Sequence, residues 1–183
     1  MILTLGAAAF ADPIALRGPL DAPSLAAGLR SASVAVPVGE HFSVALDGRY
    51  ALDRIGGWGA WRPIVPTEDG VWRLDGVLAA GAHGDPLTGT PGVDAMVGVA
   101  FGAVGQRWTG GVGLAVPAAL DLPSGSWSVP LLAELQVGVR LGPVWVAARA
   151  AGGPTWARGE SMVTTWEPAL WVGYKGGADA DKP

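Results

Sequence analysis

The stretch FSVALDGRYAL, residues 42–52, decides how this chain is read. By parity, Phe42, Val44, Leu46, Tyr50 and Leu52 share one face, and Ser43, Ala45, Asp47, Arg49 and Ala51 share the other. Period-two alternation marks a strand whose two faces meet different surroundings. An aspartate and an arginine stand inside an otherwise apolar run, so the question is which face meets water.

Working outward, the same alternation recurs. LAAGLRSASVAVPV, from Leu25, sets Ala32, Val34, Val36 and Val38 against Ser31, Ser33 and Ala35. GWGAWRPIVP at 57–66 is weaker, because Pro63 removes a ladder hydrogen bond and belongs near a rim or edge. From Val71, Trp72, Leu74 and Leu78 oppose Arg73 and Asp75; from Ala95, Val97, Val99 and Phe101 oppose Met96, Gly98, Ala100 and Gly102. GGVGLAV sets Val112, Leu114 and Val116 against Gly111, Gly113 and Ala115. The clearest run, PLLAELQVGVRLG, puts Leu131, Ala133, Leu135, Val137, Val139 and Leu141 opposite Leu132, Glu134, Gln136, Gly138 and Arg140. After a tight GP turn, VWVAARAA carries Arg149 off the Val144–Val146 face, and MVTTWEPALWVGY keeps Trp166, Leu170, Val172 and Tyr174 in register. No run shows comparable 3.6-residue periodicity, so the chain is predicted all-β.

The joins at 39–41, 67–70, 106–107 and 142 are short; those at 84–94, 119–126 and 153–160 are longer and rich in Gly, Pro, Asp and Ser. Tight turns alternating with longer loops are the pattern of a membrane barrel, which in single-chain bacterial cases has an even strand number. PIALRG at 13–18 supplies a tenth run beside the nine others. The expectation is an antiparallel up-and-down transmembrane β-barrel of eight to ten strands, ten preferred, spanning residues 12–175.

Composition narrows the reading further. The 183 residues include 29 Gly, 15 Pro, 9 Trp and no Cys, and only 15% are charged. Mean hydropathy is +0.35, yet charges, prolines and glycines interrupt every stretch long enough for a spanning helix, which needs about 20 apolar residues. A net charge of -4 gives no electrostatic reason to expect nucleic acid. The absence of Cys removes disulfides and the commonest zinc sites. MILTLGAAAFAD reads as a short signal peptide over residues 1–11, cleaved after Ala11, although no Lys or Arg precedes its apolar region. The acidic end GGADADKP reads as a disordered tail over 176–183.

The polar face settles the orientation. A soluble sheet shows water a mixture of charged residues, whereas here the second face is mainly Gly, Ala and Ser with isolated charges. Such a face suits the lining of a narrow barrel. Asp47, Arg49, Arg73, Asp75, Glu134, Gln136, Arg140 and Arg149 would then point inward as one polar network of both signs, as buried ions require. A salt-bridged plug is preferred to a polar path, because eight to ten strands leave little lumen. Trp72, Trp108, Trp127, Trp166 and Tyr174 fall at or near strand ends, where an aromatic girdle meets lipid headgroups. Trp58, Trp61 and Trp156 fall in or beside loops, and Trp145 and Trp171 have inward parity.

In this pattern residues 12–175 resemble the small bacterial outer-membrane β-barrel proteins. The resemblance implies a last strand ending in an aromatic that the assembly machinery reads; PALWVGY matches with Leu170, Val172 and Tyr174 outward, but KGGADADKP follows it. It implies export to the outer membrane, the lipid bilayer as partner and a structural or anchoring role, with a protein partner on the outward loops. A narrow channel for small solutes is the alternative. A lipid-modifying hydrolase and a soluble exported β-barrel stand further off.

Enzymatic signals are sparse. There is no Walker loop, no GxGxxG opening a helix, no HExxH and no GxSxG elbow. His41 and His83 stand apart from any local carboxylate cluster and read as solvated turn residues rather than ligands. EHFS brings Glu40, His41 and Ser43 together, but strand parity points Ser43 inward, away from lipid. No catalytic residue, metal or cofactor is expected.

Overall fold

The computed structural model describes residues 23–28, 31–39, 41–61, 64–66, 72–105 and 107–174. The segments read as signal peptide, as the strand at 13–18 and as the acidic tail lie outside them. The described chain is β throughout: β1 (Ser24–Gly28), β2 (Ser31–Pro37), β3 (Phe42–Arg49), β4 (Ile55–Trp61), β5 (Ile64–Pro66), β6 (Trp72–Gly84), β7 (Pro91–Val104), β8 (Trp108–Asp121), β9 (Ser126–Pro130), β10 (Leu132–Leu141), β11 (Val144–Ala157) and β12 (Val163–Tyr174). All pairings are antiparallel.

Two differences from the sequence reading are local. The run from Leu25 is two strands, β1 and β2, paired from Ser24↔Ala35 to Ala27↔Ala32. The long joins are partly strand as well, because their glycines and prolines keep ladder partners: β6 reaches Gly84, β7 begins at Pro91, β8 reaches Asp121 and β11 reaches Ala157. What remains of the 84–94 loop is a tight turn in which Asp85 Oδ1 accepts from the backbone N–H of Leu87 (2.8 Å) and Thr88 (3.2 Å).

The third difference concerns the architecture. The sheet runs β10-β11-β12-β1-β2-β3-β4-β6-β7-β8-β9, with β5 beside β6 and additional β10–β8 and β11–β9 pairings. The resulting ring does not close evenly into a barrel. The wall is deep where β6 meets β7, from Trp72↔Ala103 to Gly84↔Pro91, and shallow where β1 meets β12, from Ser24↔Gly173 to Gly28↔Ala169. Beyond that seam, β12 extends from Ala169 back to Val163 past the end of β1. β5 similarly continues past the start of β3 at Phe42 and pairs β6 alone among the described residues.

Proline placement divides one course of the sheet. The registers Leu132↔Ala115 and Ala119↔Ser128, carried to their midpoint, put Pro117 opposite Pro130. Both are fully buried, and neither has an N–H to donate. The ladder breaks there, dividing one course of chain into β9 and β10 at Leu131.

A sheet crosses a bilayer only when closure leaves no open backbone edge. An unevenly closed ring does not meet that condition, and it overturns the expected transmembrane barrel, its bilayer partner, its outer-membrane location and the anchoring role. Among the described residues no helix is long and apolar enough to cross a membrane.

The two faces of the sheet differ in character. Val44, Leu46, Leu74, Val97, Leu135, Val137 and Leu170 are exposed on the outer face. Trp72 and Phe101 stack there, with ring centroids 5.4 Å apart and planes 3° from parallel. The inner face buries small residues such as Ala35, Ala100, Ala115, Ala147 and Ala151, together with polar ones.

Candidate functional site

The inner face is organised in rungs that run across the strands. One rung passes through Ser33, Asp47, Gly56, His83, Gly92, Asp121 and Ser126. The next passes through Ala35, Ala45, Trp58, Gly81, Asp94, Ala119 and Ser128. On both, a large side chain stands next to a glycine or alanine, so each ring or carboxylate lies over a neighbour that occupies no space. A Cβ on Gly92 would stand 2.2 Å from His83 Nε2, one on Gly56 2.7 Å from Asp47 Oδ1, and one on Gly81 3.2 Å from Trp58 Cδ2.

Gly92 lets His83 reach across β7. Its Nε2 meets Asp121 Oδ1 at 2.8 Å and its Nδ1 meets Asp94 Oδ2 at 2.9 Å. Arg54, just before β4, donates from Nη2 to Asp94 Oδ1 at 2.5 Å. Trp58 Nε1–H donates to Asp47 Oδ1 at 2.6 Å. Asp47 Oδ2 is buried with no hydrogen-bond partner among the described residues. Burial holds the Asp47 carboxyl above its ordinary range, opposed by the Trp58 hydrogen bond and by Arg54 and His83, with Asp94 pushing the same way as burial.

This cluster opens into a cavity of about 440 Å³. Arg49, Asp53, Asp85, Asp121, Arg158 and Glu160 are among its lining residues. Arg49 Nη1 pairs with Asp53 Oδ2 at 3.1 Å, and Arg158 Nη1 donates to the carbonyls of Ser124 (3.2 Å) and Gly125 (3.0 Å). Asp85 is half-buried at the turn, and the Thr88 hydroxyl and the Leu87 and Thr88 amides hold its carboxyl below the usual range. A larger open hollow of about 980 Å³, beside Phe42, Trp61, Leu78, Met96 and Val97, has no charged side chain in its lining.

The residues expected to form one inward network occupy two belts. Asp47 and Arg49 belong to the cluster just described. Asp75 and Glu134 share a rung with Ala100, Gly113 and Ala151, and Gln136 and Arg149 share the adjoining one with Gly102, Gly111 and the backbone of Arg73. Arg149 Nη2 donates to Glu134 Oε1, and both side chains are buried. Asp75 lies eight residues from His83 along β6, which at strand rise separates the belts by about 26 Å. Arg140 sits at the turn, its Nε donating to the Gly142 carbonyl at 2.9 Å. The side chains of Arg73, Trp145, Trp171 and Tyr174 lie outside the described set.

Among the aromatics, Trp72, Trp108, Trp127 and Trp166 are exposed on the outer face; their assignment to a bilayer interface falls with the bilayer. Trp58 is not a loop residue but a buried member of β4. His83 likewise is no solvated turn residue: it is buried in β6 between two carboxylates. Extending the Arg73–Asp75 parity to residue 83, and the Met96 parity back to 94, would have found His83 and Asp94. Ser43 is buried on the inner face, His41 stands on the exposed bend before β3, and Glu40 lies outside the described residues. Among the described residues no group of three or more His, Cys, Asp or Glu is arranged to hold a metal ion.

Comparison with family models, curated proteins and solved structures finds no match to this chain. The likeness to small outer-membrane barrels therefore gains no support beyond sequence pattern, and the uneven ring removes it.

Proposed function

We propose that the inner side of the sheet forms a narrow polar passage for small solutes, entered at the cavity of about 440 Å³, and that the protein acts without catalysis. The observation that carries this reading is the row of buried ionisable side chains leading inward from that cavity, His83, Asp94, Arg54 and Asp47. Both signs are present, so a small polar or charged solute can exchange water for hydrogen bonds at each step. The paired charges limit the width.

The absence of native cysteine makes the test direct. Single cysteines are placed at Ala119 in the mouth, at Ser33 on the inner face and at Leu135 on the outer face, and each is treated with thiol reagents of graded size and charge. The proposal expects Ala119→Cys and Ser33→Cys to react with the smallest charged reagent and to resist a bulky one, while Leu135→Cys reacts with both. Inert cysteines at both inner positions would sink it.

A further inference from the structure

His83 is held in an arrangement that a static salt bridge does not need. Both of its ring nitrogens face carboxylate oxygens, Asp121 Oδ1 at 2.8 Å and Asp94 Oδ2 at 2.9 Å. A neutral imidazole has one N–H and one lone pair. Two such contacts therefore need two protons shared among the ring and the two carboxyls: both on the ring, or one on the ring and one on an aspartate. The alternatives differ only by moving a proton along a hydrogen bond already made.

Exposure falls steeply along the line. The Asp121 side chain is 44% exposed, that of His83 4% and that of Asp94 0%. One end touches solvent at the cavity and the other is sealed inside, clamped by Arg54. The remaining charged groups around His83 are Asp47 on β3, and Arg49, Asp53, Asp85, Arg158 and Glu160 around the cavity. Gly92, lying under the imidazole, leaves the ring room to bridge the two neighbouring strands.

We infer that His83 is a proton-transfer site joining solvent at Asp121 to the buried Asp94, so that a proton enters and leaves the cluster by the mouth of the passage. In the inward step the Asp121 Oδ1–H bond breaks as an N–H bond forms at His83 Nε2, giving an imidazolium between two carboxylates. The Nδ1–H bond then breaks as an O–H bond forms at Asp94 Oδ2. Asp121 ends as a carboxylate, the ring is again neutral with its proton on Nε2, and Asp94 is a carboxylic acid. The reverse sequence returns the proton to solvent.

This inference rests on the passage reading, but its test does not use cysteine labelling. The full chain, labelled with 15N in the imidazole rings, is observed by NMR, with exposed His41 as the internal reference. A relay makes the His83 ring N–H exchange with water rapidly despite burial, and Asp121→Asn slows that exchange by on the order of 10²-fold with the fold intact. A His83 N–H that is protected in the native chain, or that exchanges equally in Asp121→Asn, overturns the relay. If Ala119→Cys and Ser33→Cys still react in that case, the passage stands and the relay alone falls. If the cysteines are inert as well, both fall.

Discussion

The imidazole of His83 occupies the space that a side chain at residue 92 would fill. The two are directly paired across β6 and β7, and Asp121 is paired with Gly92 on the far side. A glycine in the middle of a strand ordinarily weakens it. Here it is the condition for a hydrogen bond between strands that are not neighbours.

Gly92→Ala is accordingly expected to break the His83–Asp121 contact. The new Cβ would also stand 2.7 Å from the Leu120 carbonyl, so displacing the ring alone does not relieve it. Overpacking of this kind costs on the order of 1–3 kcal/mol. Denaturant midpoints of the two chains measure it, and an unchanged midpoint would show that β7 gives way freely.

Glu134 and Arg149 form a pair with both side chains buried. Arg149→Leu removes one charged partner of the buried Glu134, a change worth about 3–5 kcal/mol when a buried pair is broken. The double replacement Glu134→Leu with Arg149→Leu is expected to recover most of that loss, because two apolar residues need no partner. Equilibrium unfolding of the four chains in a double-mutant cycle gives the coupling directly.

Asp47 supplies a pH dependence of known sign. Its carboxyl is raised above the ordinary 3.8 by burial, so the folded chain keeps this proton to higher pH than the unfolded chain does. Between the two values the native state binds more protons, and stability falls as pH rises through that window. Below the unfolded value both states are protonated and the penalty disappears. Asp47→Asn, whose Oδ1 can still accept from Trp58, is expected to melt higher than the native chain near neutrality and together with it well below pH 3.8. A lower melting temperature at neutrality would contradict this.

The outer face leads to a prediction about the surface. Leu135 and Val137 on β10 and Val97 and Val99 on β7 are exposed without any loss of native pairing. Extended apolar surface binds apolar probes and partners. The folded chain should therefore enhance the fluorescence of an anilinonaphthalene dye, and replacing Leu135 and Val137 by Thr should reduce the enhancement with the unfolding midpoint nearly unchanged.

Much of the strand content and the face of each residue was legible, because alternation in runs such as Leu131–Leu141 is strict. The site was legible only in part. Asp47 is visible as a charge inside an apolar strand, but His83 stands among turn-forming residues and shows its face only when the β6 parity is carried through to Gly84. Glycines suit turns and linings equally, and nothing in the sequence marks Gly56 and Gly92 as the partners of particular large side chains. The uneven ring was not legible, and neither was the break between β9 and β10, since both depend on register between strands, which alternation within a strand does not fix. Pro117 and Pro130 are ordinary singly; only the register makes them meet.

The rung pattern also bears on how this sequence can change. Volume on the inner face is shared between paired positions: His83 with Gly92 and Asp47 with Gly56. A larger residue can enter at 92 only as a smaller one enters at 83 and the backbone at Leu120 gives way, so each of the two sites should look intolerant when altered alone. Substitution there proceeds in pairs, and the rung rather than the residue is the unit that varies.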